Sequence, residues 1–193
     1  MGPEQVTVPV IDLSFPHQWR AEILAARPLI LPSRHFTYPR EVEEIERGAL
    51  EVLVQREGET GEQPFLATCT LGFRDPSLPS GIWSAPNPHE ACAVAGGYAY
   101  LIDTRAAERF TMLPYRPVFA VLPVVERSLL LFVGSRSILA WGATGQAWES
   151  TRLSDEGIAG LAIDGGTLHG LGWSMMSDKE TPFALDLATG HTR

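Results

Sequence analysis

From residue 91 onward the chain is cut into short apolar runs, at 92–95, 98–103, 118–122, 128–133, 137–141, 146–149, 158–163, 167–173 and 182–187, each bounded by Gly, Asp, Thr or Ser. Runs this short close off most helical folds. An amphipathic helix needs roughly 10–12 residues of 3.6-residue periodicity, whereas a strand fills one face of a sheet in about four to eight. Nine such runs in about a hundred residues predict an all-β, antiparallel protein, built of propeller-like blades or, alternatively, as a β-sandwich. Two glycine pairs, in Ala95-Gly96-Gly97-Tyr98 and Asp164-Gly165-Gly166-Thr167, join successive runs. They predict tight hairpins, because two-residue hairpin turns demand positive φ.

Upstream the signals are mixed. Ser14 as a cap, Pro16 in a first turn, and Trp19, Ile23 and Ala26 at three- to four-residue spacing before Pro28 predict one short N-terminal helix. Residues 28–40, with Pro28, Pro32 and Pro39 around Leu29-Ile30-Leu31, read as an extended connector. Strands are expected at 49–54 and 65–71, around a polar break at 57–62, followed by a proline-punctuated loop at 75–88 that holds Trp83. The 193 residues are read as a single domain, in which 1–40 packs as helix and connector on a β core at 41–193.

Three segments end alike: Tyr100-Leu101-Ile102-Asp103-Thr104, Leu139-Ala140-Trp141-Gly142-Ala143-Thr144-Gly145 and Ala184-Leu185-Asp186-Leu187-Ala188-Thr189-Gly190. Their threonines are 40 and 45 residues apart, the length of a propeller blade. The last segment resembles the Ala-Leu-Asp strand and Thr-Gly turn of PQQ-like repeats, and more loosely WD-type β-propeller repeats. That resemblance implies a propeller scaffold. The tryptophan-docking positions and quinone ligands of those repeats have no match here, so no cofactor is implied. More broadly, Pro64 to Gly190 is similar to small bacterial proteins of unknown function.

Charge narrows the partners. The count of 15 Lys+Arg against 23 Asp+Glu gives −8, and a surface of that sign lacks the basic face that nucleic acid requires. The excess gathers early, in the run Glu41, Glu43, Glu44 and Glu46, which reads as a solvated face or a docking surface for a basic partner. There is no basic, apolar leader and no apolar run approaching the ~18–20 residues of a membrane span. A cytoplasmic location without membrane contact is therefore expected.

No local motif carries chemistry. His89-Glu90-Ala91-Cys92 could join Cys69 and His169 around a metal, but paired CxxC and HExxH spacings are lacking, and no metal is expected. Gly134-Ser135-Arg136-Ser137 is not a nucleophile elbow. Asp103, Glu149, Asp164 and Asp186 read as turn formers and strand-end caps. Trp19, Trp141 and Trp148 are assigned to the core. Trp83 and Trp173 flank polar loops and, with His89, His169 and Asp178, form the expected binding surface, with Met175 and Met176 as adaptable neighbours. The function expected is a non-enzymatic module that binds a protein or a small ligand. The alternatives are a hydrolase or isomerase whose site is assembled from His and Asp/Glu on separate loops, or a small acidic inhibitor of immunity type.

Overall fold

A computed structural model describes residues 8–40, 48–58 and 63–193 of the chain. They fall into two compact units, Met1–Pro117 and Val118–Arg193. Among the described residues the regular structure is strand throughout, apart from one turn of 3-10 helix at Val125–Arg127. Among the described residues no helix is long and apolar enough to cross a membrane.

The first unit holds two sheets. One contains β1 (Val10–Asp12), β6 (Gly81–Ser84), β7 (Glu90–Ala95), β8 (Tyr98–Asp103) and β9 (Phe110–Met112), in that spatial order. The other runs β2 (Trp19–Leu24), β4 (Ala49–Arg56), β5 (Phe65–Thr70), β3 (His35–Tyr38). Pairing is antiparallel except for β1 on β6 and β3 on β5, which are parallel. Alternation explains how the two sheets share a core. Val52 and Val54 of β4, Phe65, Ala67 and Cys69 of β5, Ala91, Ala93 and Ala95 of β7, and Tyr100 and Ile102 of β8 form one buried cluster. Every second residue thus faces the cluster, as the two-residue strand period requires. The small alanines of β7 leave room for Trp19, Tyr38 and Tyr100 in the same layer.

The second unit is a four-stranded meander, β10 (Ala120–Val124), β11 (Leu129–Val133), β12 (Ile138–Gly142) and β13 (Gly145–Glu149), followed by a three-stranded one, β14 (Ile158–Asp164), β15 (Thr167–Ser174) and β16 (Lys179–Asp186). Sequential up-and-down sheets of this kind are the form of propeller blades. Leu131, Val133, Ile138, Ala140 and Trp148 from the first sheet meet Leu168 and Leu185 from the second in a common core. Trp148 also donates its ring N–H to the Leu187 carbonyl at 2.9 Å. The outer edge of β16 is partly occupied by the tail: Leu185 bridges to Thr192, and Arg193 N donates to the Ala184 carbonyl at 2.9 Å.

All nine expected strands after residue 91 are present, with bounds shifted by a few residues. Both glycine-pair hairpins form as expected; Gly96 and Gly97 have φ of +52° and +78°, which closes Ala95 onto Tyr98. Gly172 serves a different need, since a Cβ there would lie 2.0 Å from the Leu153 carbonyl oxygen.

The N-terminal helix is a correction. Residues Trp19–Leu24 form strand β2, paired antiparallel with β4. A spacing of four between Trp19 and Ile23 fits both a helical turn and two strand periods. The residues between them decide for strand: Ala21 packs on the core while Arg20 and Glu22 are exposed. Ser14 caps no helix; its N–H instead donates to Asp12 Oδ1 at 3.1 Å. The expected loop at 75–88 is likewise interrupted by strand β6, which carries Trp83. The acidic run at 41–46 and the end of the polar break at 59–62 lie outside the described residues.

Candidate functional site

The five residues expected to bind fall in both units. Trp83 is only 3% exposed and sits opposite Cys92 in the β6–β7 pair, so its ring fills the interior. His89 precedes β7 and works through its backbone: its carbonyl accepts from Thr104 N and from Thr104 Oγ1, both at 2.8 Å. The other three residues share one hairpin of the second unit. His169 and Trp173 lie on β15, and Asp178 lies in the turn that leads to β16.

That hairpin has two unlike faces. Leu168, Gly170 and Gly172 are buried, and Leu168 joins the core. His169, Leu171 and Trp173 alternate with them and lie on the opposite face. Across the sheet they are opposed by Ala162 and Ala184, by Pro182, and by Glu180 respectively. His169, Ala162 and Pro182 are exposed, while Leu171, Trp173 and Ala184 are half-buried. At the hairpin tip Met175 and Met176 are 65% and 98% exposed. Asp178 takes φ +49°, a conformation that Asp and Asn tolerate better than most residues. Trp173 also borders an open depression of about 260 Å³ that Ser154 and Asp155 line with it. Asp155 pairs with Arg152 and accepts from Met175 N at 2.7 Å, so its carboxylate is already engaged.

The metal cluster does not assemble. Among the described residues no three His, Cys, Asp or Glu side chains are grouped to hold a metal ion. Cys69 and Cys92 are both free and buried, and burial pushes both thiols up, away from the reactive thiolate. Asp103 and Asp186 act as the expected turn caps. Asp186 accepts from Ala188 N at 2.8 Å and pairs with Arg193, and its carboxyl is held low chiefly by the Arg193 hydrogen bond. For Asp103 burial pulls upward, but the hydrogen bonds and charges of Arg105 and Arg109 outweigh it and hold the carboxyl low.

One polar group in the first unit was missed by sequence reasoning. Glu51, on the interior strand β4, is 6% exposed. Thr68 of β5, directly opposite in register, donates its hydroxyl to Glu51 Oε2 at 2.6 Å. His35 of edge strand β3 has Nε2 2.9 Å from the same Thr68 oxygen. A threonine has a single proton to give. Because that proton goes to Glu51, His35 must bring its own on Nε2, which leaves Nδ1 as the other, basic nitrogen of the neutral ring. Burial, then Arg27, push the His35 pKa down from its usual value, against an upward pull from Glu51. His35 also lines a depression of about 250 Å³ along β3, with Phe36, Thr37, Tyr38, Arg40 and Glu108. The signal was a single charge inside the apolar run Ala49-Leu50-Glu51-Val52-Leu53-Val54.

The chain is thus an all-β protein of largely antiparallel sheets with two local surfaces of interest. No protein-family model matches it, and no curated protein matches either. Among solved structures it is similar to the crystal structure of the N-terminal domain of Nup159, at 10% identity and a TM-score of 0.40, over 97% of this chain and 53% of that one. It is also similar to a chain in an S. cerevisiae complex of Dbp5 with Nup159, Gle1, IP6 and ADP, at 11% identity and a TM-score of 0.39, over 96% of this chain and 50% of that one. The chain therefore spans about half the length of the structures it matches. At such identities and scores the fold assignment rests on the sheets described above.

Proposed function

We propose that this protein is a protein-interaction module that recognises its partner through the outer face and tip of the β14–β16 sheet. The observation that carries the reading is the row His169, Leu171 and Trp173 on the face of β15 turned away from the core, flanked by Ala162, Ala184 and Pro182. A contiguous apolar face containing a tryptophan, rimmed by polar groups, is what interaction surfaces present. The tandem methionines at the tip supply flexible apolar contact. Edge strand β14 adds a second means of attachment, since its outer side has no strand partner among the described residues.

The reading is tested with a photo-crosslinking residue at position 162, in the face, and another at position 22, exposed on the first unit. Crosslinking to a discrete polypeptide from position 162 alone, lost in Trp173→Ala, is the expected result. The same products from both positions would refute it.

A further inference from the structure

Strand β2 ends one side of the β2–β4–β5–β3 sheet and has no strand on its outer side among the described residues. Its six residues pair with β4 without a break in register. That pairing settles which backbone groups face outward. Gln18 O accepts from Glu57 N at 2.9 Å, and bonded and non-bonded pairs alternate along an antiparallel ladder. Arg20, Glu22 and Leu24 therefore direct their N–H and C=O groups to β4, while Trp19, Ala21 and Ile23 direct theirs to the open edge.

Charges on an edge strand ordinarily keep other strands away. On β2 they are of opposite sign and two residues apart, with Arg20 and Glu22 both on the exposed face, and that spacing makes the strand complementary to itself. When two copies of β2 run antiparallel about a two-fold axis at Ala21, Arg20 of each copy stands opposite Glu22 of the other, and Trp19 stands opposite Ile23. The residues matched through Trp19, Ala21 and Ile23 are the ones whose backbone groups face outward. The next registers of the same backbone parity set Arg20 against Arg20 or Glu22 against Glu22, which like-charge repulsion disfavours. Within its own chain Arg20 is held loosely, 3.3 Å from Gln55 Oε1 and 4.0 Å from Glu57. Glu22 makes no ion pair among the described residues. Apolar surface flanks the strand at both ends. Leu29, Ile30 and Leu31 follow it between Pro28 and Pro32 and are 105%, 88% and 41% exposed; Val10 and Ile11 of β1 precede it and are 45% and 57% exposed. In an antiparallel pair the segment after β2 in one copy lies on the side of the segment before β2 in the other. Burial of these groups supplies the association that exposed ion pairs alone do not.

We propose that the partner of this edge is a second copy of the chain, joined antiparallel through β2 into one continuous sheet, with Arg20 and Glu22 fixing the register. The contact is isologous, so it closes at two copies. It lies in the first unit and leaves the β14–β16 surface of each copy to its own partner.

The test is analytical ultracentrifugation of the full chain over a concentration series, with backbone amide exchange measured at the same concentrations. The expected result is a reversible dimer in which exchange at Ala21 and Ile23 slows as concentration rises. Arg20→Glu and Glu22→Arg each set like charges opposite one another and should each weaken the dimer by about tenfold or more. Mixing the two variants should recover a mixed dimer, and the double variant Arg20→Glu/Glu22→Arg should dimerise like the parent; recovery separates a lost contact from a lost fold. Ile30→Asp should weaken the dimer without a counterpart that rescues it. A photo-crosslinking residue at position 22 displaces Glu22, so that variant is expected to be monomeric, and crosslinking from position 162 should persist in Arg20→Glu. A chain that stays monomeric up to about 1 mM would overturn the proposal. So would a dimer that Arg20→Glu leaves intact, or single variants that do not recover on mixing.

Discussion

Replacing Thr68 with valine removes one hydroxyl from a fully buried site with almost no change in shape. Two groups then lose their partner: Glu51 Oε2, whose donor stood at 2.6 Å, and His35 Nε2–H. A hydrogen bond to a charged group contributes ~1.5–3 kcal/mol, and the stranded carboxylate has little solvent to turn to. Thr68→Val should therefore destabilise the protein by about 2–3 kcal/mol at neutral pH. Glu51→Leu removes the buried charge itself, and the Thr68 hydroxyl can then turn to donate to His35 Nε2 in the other tautomer, so the net cost is at most about 1 kcal/mol. The double variant Glu51→Leu/Thr68→Val exchanges the pair for apolar side chains and should lie within about 1 kcal/mol of the parent. Urea denaturation followed by tryptophan fluorescence measures all three, with Trp19 and Trp83 reporting from the same unit. The signature is non-additivity: the two changes together cost less than Thr68→Val alone. If the double variant is the least stable of the three, the pair is a stability element and the physical reasoning above fails.

Stability should also depend on pH through His35. Its folded pKa is depressed by burial and by Arg27, so as pH falls the unfolded chain takes up the proton first, near the usual ~6.5. Stability from His35 is complete above that value and is lost as pH falls from there to the folded pKa; His35→Gln should flatten this part of the curve in urea melts at pH 5.5–7.5. Thr70 Oγ1 is buried without a hydrogen-bond partner among the described residues, so Thr70→Val should stabilise by about 1 kcal/mol in the same assay, and destabilisation would mean that the hydroxyl is satisfied in solution. The glycine hairpins separate strain from crowding. Gly165→Ala meets nothing within 4 Å and suffers only from φ +61°, a cost of about 1–2 kcal/mol. Gly96→Ala adds a Cβ 2.4 Å from the Phe73 carbonyl oxygen, so its loss in midpoint should be clearly greater. Trp148→Phe strips the donor from the buried Leu187 carbonyl and should cost about 1–3 kcal/mol by denaturant titration.

Much of the second unit was legible because each strand there is bounded by a residue with an evident turn role: Gly165 and Gly166 for one hairpin, Ala143-Thr144 for another, Asp186 capping the end of β16. The N-terminal third was not, for two physical reasons. A four-residue spacing cannot separate helix from strand when only Trp19 and Ile23 are considered, and parallel strands such as β1 and β3 find partners 71 and 31 residues away by position, with no turn between them to mark the pairing. Trp173 is placed on the expected binding surface, with His89, His169 and Asp178, because it flanks a polar loop, and the β15–β16 hairpin does keep His169, Trp173 and Asp178 in one unit. Trp83 was grouped by the same argument and lies in the interior, because prolines at 76, 79, 86 and 88 leave just enough chain between them for the short strand Gly81–Ser84. Glu51 stood in plain view, but what it faces is set by Thr68 and His35, contributed by two other strands.

The tail bridge on β16 gives the last sheet a direction of growth. Thr192 and Arg193 occupy the backbone of β16 near Ala184 and Leu185, and Pro182 lacks an N–H with which to extend that pairing. At the opposite side, β14 keeps its outer edge without a strand partner among the described residues. A sheet covered in part along one edge and open along the other is more readily extended at β14 than at β16, so an added strand would favour one side.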